Sequence, residues 1–126
     1  MRVLIIATLA VLLVIGGWAL LYDTINDGFT DLTNTLSKVS ENIETQDWQI
    51  AYAKLSKTNE KWQSLKDFLP LFVDHREIHK IDLIMTRANI YLKKKNTPLS
   101  LAEIEALKAM LTMLKDEEVP NLINIL

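Results

Sequence analysis

The feature that most constrains this chain is an uncharged apolar run close to its first residue. Residues 3–22, VLIIATLAVLLVIGGWALLY, contain no Asp, Glu, Lys or Arg. At 1.5 Å of rise per residue, a helix of about 20 residues spans the roughly 30 Å hydrocarbon core of a bilayer. Trp18 and Tyr22 close the run, and such aromatic rings favour the membrane interface. The run therefore predicts a transmembrane anchor over residues 1–22.

The charges beside the run predict how it crosses the membrane. Arg2 and the amino terminus precede it, whereas Asp23 and Asp27 follow it. The positive-inside rule then places Arg2 at the cytoplasmic interface of the cell membrane and residues 23–126 outside the cytoplasm. A cleaved signal peptide is the alternative, but its apolar region is usually about 7–15 residues long and ends at a small-x-small site. The stretch WALLYDT offers no such site, which favours a retained single-pass anchor.

Composition excludes several classes of function. There is no cysteine, so disulfides, thiol nucleophiles and cysteine-ligated zinc sites are excluded. The three glycines are too few for a phosphate-cradling loop. Beyond Arg2 the chain has 13 basic and 16 acidic residues, a balance that argues against a nucleic-acid surface. The one basic run, residues 93–95, suits the negative end of a helix dipole. We therefore expect no nucleic acid, no cofactor and no small-molecule substrate.

The first helix is expected to continue beyond the membrane. From Trp18 to Ile43, apolar or aromatic residues follow one another at alternating spacings of four and three residues, which is a heptad seam. This pattern predicts a bundle helix over about residues 23–45, joined directly to the anchor. The seam could pack within the chain or form a homodimeric stalk, and crosslinking at Asn26 or Asn34 would separate the two, because only a stalk gives dimers there.

Three further helices follow from apolar periodicity and from helix-ending residues. They are expected at about residues 47–68, 71–95 and 99–115. Asp47 is a good N-cap for the first of these, Pro70 separates the first from the second, and either Thr97 or a capping box of Ser100 and Glu103 begins the last.

The predicted fold class is therefore all-α: an N-terminal transmembrane helix followed by an antiparallel bundle of three to four helices over residues 23–126. The seam residues expected in the bundle core are Phe29, Leu36, Trp48, Leu55, Trp62, Ile78, Met85, Leu92, Leu107 and Leu111.

The stretch HREIH, with the chain's two histidines, invites a zinc interpretation. A zincin has His-Glu-x-x-His, whereas here Glu77 lies two residues after His75, about 200° around a helix, and cannot face the same ion. His75, His79 and Asp82 remain weak candidates for a metal, but a third strong ligand is missing, so no metal site is predicted. No arrangement of side chains indicates a catalytic residue either.

A polar border on the third helix is the better interpretation of this region. On a helical wheel, His75, Asp82 and Asn89 fall along one edge of the apolar stripe, and His79 lies further toward solvent. We expect this border to fix helix register or to meet a partner.

The order of these features resembles a known family. The stretches WQSLKDF, DHREIHKID and LIMTRANIYLKKKN and the ending NIL are similar to an uncharacterised domain-of-unknown-function family, most clearly from Trp62 to Leu126. Its members are small membrane-anchored proteins of Gram-positive, often spore-forming bacteria. His79 departs from the family pattern, which has a small polar or acidic residue there. The resemblance implies no activity.

The sequence thus favours a membrane-anchored, non-enzymatic extracytoplasmic helical protein that acts through protein–protein interaction at the cell envelope, either with another membrane protein or by self-association. The alternative is a ligand-sensing or metal-binding helical bundle that relays a signal to a partner membrane protein.

Overall fold

A computed structural model describes residues 1–71 and 73–118 of the chain. Within these residues there are four α-helices and no strand, so the all-helical prediction is confirmed. The helices are α1 (Arg2–Glu44), α2 (Trp48–Lys66), α3 (His75–Lys93) and α4 (Thr97–Met113). A 3-10 turn at Leu69–Leu71 lies between α2 and α3, and a π-helical turn at Leu114–Glu118 follows α4.

Helix α1 has two parts with opposite surroundings. Up to about Leu20 its apolar side chains are exposed, and no residue in the most apolar stretch of 18 is buried. Beyond that point the heptad seam is buried against the rest of the chain. The buried residues of α1 are Ile25, Phe29, Leu32, Leu36, Val39 and Ile43. One uninterrupted helix therefore carries both the exposed apolar segment and a quarter of the bundle.

Polar contacts between α1 and α2 show that these helices are antiparallel. Lys54 Nζ donates to Asn42 Oδ1 across 2.9 Å, and Lys61 forms an ion pair with Asp31. The partner on α1 moves back along the chain as the position on α2 advances. The apolar seam of α1 is thereby packed within the chain.

The other helix pairs run antiparallel as well. Ser40 on α1 donates to Glu105 on α4 across 3.4 Å, and Lys115, just beyond α4, donates to Thr30 across 3.1 Å. Between α2 and α3, the Lys93 ammonium lies 5.7 Å above the centre of the Tyr52 ring. That pair lies close to the opposite end from the Trp62–Asp82 contact described below. The four helices therefore form a ring of antiparallel neighbours.

This topology gives the bundle two distinct ends. We call the end next to the exposed apolar segment the near end: it holds the start of the buried α1 seam, the described residues between α2 and α3 (67–71 and 73–74) and the end of α4. The far end holds the α1–α2 connection (Thr45–Asp47) and the α3–α4 connection (Lys94–Asn96). This division shows which side chains of the bundle lie close to the exposed apolar segment and which lie far from it.

Two helices begin at residues other than those expected, and side-chain capping explains both. Helix α3 begins at His75 instead of residue 71, because the Asp74 side chain accepts from the Arg76 backbone N–H. Helix α4 begins at Thr97, where the Asn96 side chain accepts from the Leu99 N–H. The expected caps at Thr97 or Ser100 are both inside the helix.

The start of α2 is also organised differently from the expected N-cap. Asp47 occupies the N-cap position, but no N–H of the first turn donates to its side chain. Instead, Thr45 Oγ1 donates to Asp47 Oδ2 across 3.0 Å. Gln46 precedes it with a φ of 63°, so the α1–α2 connection is a tight left-handed turn.

The core follows the apolar seams closely, with one exception. Nine of the ten residues expected in the core are buried: Phe29, Leu36, Leu55, Trp62, Ile78, Met85, Leu92, Leu107 and Leu111. Trp48 is only half-buried, packed against the edge of the core. It is the first residue of α2 and lies at the far end of the bundle. The seam also missed Ile84, which is buried on α3.

Candidate functional site

A polar cluster joins α2 to α3 at the near half of the bundle. Trp62 Nε1 donates to Asp82 Oδ1 across 2.8 Å, and Lys66 Nζ donates to Asp82 Oδ2 across the same distance. Trp62 is fully buried, while the Lys66 and Asp82 side chains are 28% and 31% exposed. A buried indole N–H needs an acceptor, and the periodicity of α3 places this carboxylate beside it.

The geometry around Asp82 decides what this carboxylate can do. Both of its oxygens accept hydrogen bonds from α2. Oδ2 accepts a charge-assisted bond from the Lys66 ammonium, and Oδ1 accepts from the buried indole of Trp62. A carboxylate held in this way fixes the register of the two helices. The residue that would have completed a metal site with the histidines therefore has a structural role.

The two histidines occupy the first two turns of α3, at the near end. Both are exposed, and their ring centres are 6.4 Å apart. His75 was expected on the edge of the core stripe, but it is the first residue of α3, so no preceding helical turn packs beside it. Among the described residues, no group of three or more His, Asp or Glu side chains is arranged to hold a metal ion.

The N-cap of α3 concentrates charge beside the histidines. Asp74 accepts from the Arg76 backbone N–H across 3.0 Å and from the Arg76 guanidinium at 3.0 Å and 3.2 Å. The backbone hydrogen bond from Arg76, followed by its side-chain hydrogen bonds, lowers the pKa of the Asp74 carboxyl. The same ion pair raises the pKa of Arg76. Asp74 and Arg76 therefore neutralise each other at the surface.

The expected polar border is brought together only in part. Asp82 contacts α2, whereas Asn89 Nδ2 donates to the Met85 carbonyl of its own helix across 3.2 Å and is half-buried. His75 lies exposed beyond the core edge. Of the three border residues, one links two helices, one is bonded locally and one faces solvent.

A second polar contact, between α3 and α4, was not found from the sequence. Arg87 Nε lies 3.1 Å from Glu103 Oε1, and the Glu103 side chain is only 16% exposed. The fully buried Ser100 lies one turn before Glu103. Three buried atoms form no hydrogen bond with the described residues: Ser100 Oγ, Glu103 Oε2 and Arg87 Nε. Arg87 is close enough to Glu103 for an ion pair, but its Nε–H is not aligned with the carboxylate. Glu103 was expected in a capping box at the start of α4, but it faces Arg87 of α3.

The exposed part of α1 is the largest apolar surface among the described residues. Its side chains include Val3 at 81% exposure, Leu13 at 76% and Leu20 at 71%. This is the one helix in the described residues that is long and apolar enough to cross a membrane.

The residues predicted to lie at the two membrane interfaces occupy both ends of this segment. Arg2 begins α1 and is exposed, whereas Trp18 and Tyr22 are half-buried near the start of the bundle. Tyr22 packs against the edge of the core. The apolar surface therefore ends where the bundle begins.

Comparison with known proteins adds a family but no activity. A family model described as "Domain of unknown function (DUF4363)" matches residues 19–125. No curated protein and no solved structure matches the chain. The matched segment begins near the end of the apolar run and takes in the whole of the described bundle.

Proposed function

The chain belongs to the DUF4363 family, and we propose that it is a membrane-anchored, non-enzymatic protein whose helical bundle lies outside the cytoplasm and acts through protein–protein interaction at the cell envelope. The proposal covers the anchor, the orientation and the mode of action. The predicted origin in Gram-positive bacteria belongs to it as well.

The observation that carries the proposal is the change of surroundings along α1. The apolar side chains up to about Leu20 are exposed, and those from Ile25 onward are buried in the bundle. Exposing so much contiguous apolar surface to water is unfavourable, and a bilayer core is the environment that covers a helix of this length. A helix that begins in the bilayer and ends in the bundle would hold the bundle directly at the membrane surface.

The continuity of α1 supports a role in holding or positioning a partner. Helical hydrogen bonding is unbroken from Arg2 to Glu44. The buried seam then fixes α2 and α4 to the same helix. A partner bound by the anchor and one bound by the bundle would be kept at a defined distance and orientation. Self-association through the anchor would present several bundles side by side.

The polar groups also support a non-enzymatic role. Asp82 is engaged by Trp62 and Lys66, and Glu103 is paired with Arg87 between two helices. These two carboxylates, whose side chains are mostly covered, thus join pairs of helices. The exposed histidines, His75 and His79, lie on one surface of α3 without an organised pocket of acidic partners.

Anchoring is tested by fractionation of the full chain. We expect the protein to remain with membranes after a carbonate wash. A variant with Leu9→Arg and Leu12→Arg, two side chains that are exposed and remote from the bundle, should be released. Extraction of the unaltered chain by carbonate, or its release as a shortened chain, would contradict a retained anchor.

Orientation is tested with single cysteines, because the chain contains none. A membrane-impermeant maleimide should label Leu99→Cys, at the far end of the bundle, in intact cells. It should label Val3→Cys only after permeabilisation. The two sites are 44% and 81% exposed, so accessibility within the protein does not limit either reaction. The reverse pattern would place the bundle in the cytoplasm.

Interaction is tested by purification from membranes with the native anchor intact. We expect either a stoichiometric membrane-protein companion identified by mass spectrometry, or a defined oligomer of the chain. A monomer without a companion, in mild detergent and in native nanodiscs, would contradict an interaction role.

A further inference from the structure

The α2–α3 connection at the near end exposes a large aromatic side chain. Phe68 follows α2 by two residues and is 46% exposed, whereas its neighbour Leu69 is fully buried. Pro70, on the other side of Leu69, is exposed as well. Of the residues at 68–70, one is therefore directed into the core and two away from it.

The level of Phe68 along the bundle follows from its contacts. Leu65 lies beside Gly28, where a Cβ atom would be only 3.0 Å from Leu65 Cδ2. Phe68 follows Leu65 by three residues, and its N–H donates to the Leu65 carbonyl across 3.0 Å. Three helical residues advance about 4.5–6 Å, and antiparallel α2 runs toward the apolar segment. Phe68 is therefore about level with Ile25 on α1.

This level is close to the end of the apolar segment. Tyr22 lies about 9 Å along α1 from Gly28, which leaves roughly 3–5 Å between the levels of Tyr22 and Phe68. Leu21 and Tyr22 are partly buried and pack against the core. The headgroup region on each side of a bilayer is about 5–7 Å thick. Because only roughly 3–5 Å separates the two levels, Phe68 falls within the depth of that region.

We propose that the turn at residues 67–70 rests on the bilayer that α1 spans, with the Phe68 ring among the lipid headgroups as a second point of membrane contact. This inference rests on the proposed anchoring of α1. The occupant of the exposed surface is lipid, because Phe68 lies about level with Ile25, only a few ångströms along α1 from the end of the segment that enters the bilayer.

The charges around Phe68 favour a zwitterionic lipid surface. The nearest lysine or arginine on each side along the chain is already paired: Lys66 with Asp82, and Arg76 with Asp74. Asp67 is exposed and adds a negative charge. Anionic headgroups are therefore not required for the contact, and apolar burial of the ring supplies the attraction. Phosphatidylcholine vesicles are the appropriate probe.

The experiment compares nitroxide labels at three single-cysteine sites in the full chain, reconstituted in phosphatidylcholine vesicles. Phe68→Cys tests the near end, and Leu99→Cys is the matched control, since the native side chains are 46% and 44% exposed. Val14→Cys, in the apolar segment, reports on anchoring. The measurement is the ratio of collision rates with lipid-soluble oxygen and with a water-soluble nickel chelate.

We expect the ratio at residue 68 to be several-fold higher than at residue 99, and the ratio at residue 14 to be higher still. Equal ratios at 68 and 99, with a high ratio at 14, would overturn the contact while leaving the anchor in place. A label at 68 shielded from both reagents would show that protein covers the ring, which also overturns the contact. A low ratio at 14 would overturn the anchor itself.

Discussion

Trp62 on α2 donates its indole N–H to Oδ1 of Asp82 on α3 across 2.8 Å, in a site where the indole is fully buried and the carboxylate is partly exposed. The contact ties a core side chain of α2 to a polar side chain of α3. Lys66 holds the second carboxylate oxygen and so fixes the orientation of the first.

Removing the acceptor should destabilise the bundle. Asp82→Ala leaves the Trp62 N–H buried without its acceptor, which costs about 1–3 kcal/mol of unfolding free energy. Asp82→Asn keeps an acceptor oxygen and loses only the partly exposed ion pair with Lys66, so it should cost about 1 kcal/mol or less. Denaturant unfolding of the full chain in detergent, followed by circular dichroism, measures both. Equal losses would show that the charge, and not the indole bond, matters.

Asp74 should make the bundle less stable in acid. Its pKa is lowered in the folded chain from an ordinary value of 3.8, mainly by the backbone hydrogen bond from Arg76. A lowered pKa contributes stability that is fully present above about pH 3.8 and is lost as the pH falls through the folded-state pKa. Carbon-detected NMR of the Asp74 carboxyl should give a midpoint below 3.8.

The matched control for Asp74 is Asp74→Asn, which keeps a capping oxygen but does not titrate. The stability difference between the two proteins should shrink as the pH falls below 3.8. A carboxyl midpoint at or above 3.8, or a difference that does not depend on pH, would contradict the assignment.

The turn after α3 should tolerate glycine at position 95 but not at position 94. Lys95 has a φ of 55°, a left-handed conformation that costs a residue with a side chain about 1 kcal/mol relative to glycine. Lys94 has right-handed helical angles, φ −82° and ψ −2°. Lys95→Gly should therefore raise the unfolding free energy, by up to about 1 kcal/mol, and Lys94→Gly should lower it. Each variant loses one charge, so a common shift would indicate a charge effect instead.

Replacing the buried hydroxyl of Ser100 should stabilise the bundle. Ser100 is fully buried in α4, and its Oγ forms no hydrogen bond with the described residues. Ser100→Ala removes that unsatisfied group and improves helix propensity, for a gain of about 1 kcal/mol. Ser64→Ala is the control, because that hydroxyl is exposed and bonded to the Glu60 carbonyl. A gain no larger than that of the control would mean that Ser100 Oγ is satisfied, for example by water.

Gly28 should accept a methyl group but not a longer side chain. A Cβ atom there would lie 3.0 Å from Leu65 Cδ2, so Leu65 must shift slightly, while alanine favours the helix by about 1 kcal/mol. We expect Gly28→Ala to be nearly neutral and Gly28→Leu to cost about 2 kcal/mol through overpacking between α1 and α2. Gly16→Leu is the control, since nothing lies within 4 Å of its Cβ position. A similar loss in the control would point away from the α1–α2 contact.

The sequence predicted the secondary structure well where periodicity was long. The seam from Ile25 to Ile43 has an unbroken 3–4 spacing, and every seam residue in that range is buried. Helix beginnings were less predictable, because several residues near each boundary can cap a helix. Asp74 and Asn96 provide the side-chain caps of α3 and α4, and nothing in the local pattern ranks them above Thr97 or Ser100.

Pairings between helices could not be read from single-helix patterns. The wheel placed Asp82 at the edge of the apolar stripe, but its partners, Trp62 and Lys66, depend on which helix packs there and in which register. From the sequence, Glu103 was a possible capping-box residue, with no indication of a partner on another helix. It is largely buried because α3 brings Arg87 alongside it.

The sequence by itself determined that the chain is helical, that its first segment is apolar enough to span a bilayer, and that a heptad seam continues from it. These properties depend on spacing and side-chain polarity along one helix, which neighbours do not alter. Only the tertiary structure decided that the seam of α1 is covered within the chain, that Asp82 is occupied by α2, and that Phe68 lies beside the level where the apolar segment ends. Each of these depends on how separate helices are ordered and aligned, and residues distant in sequence become neighbours only through that packing.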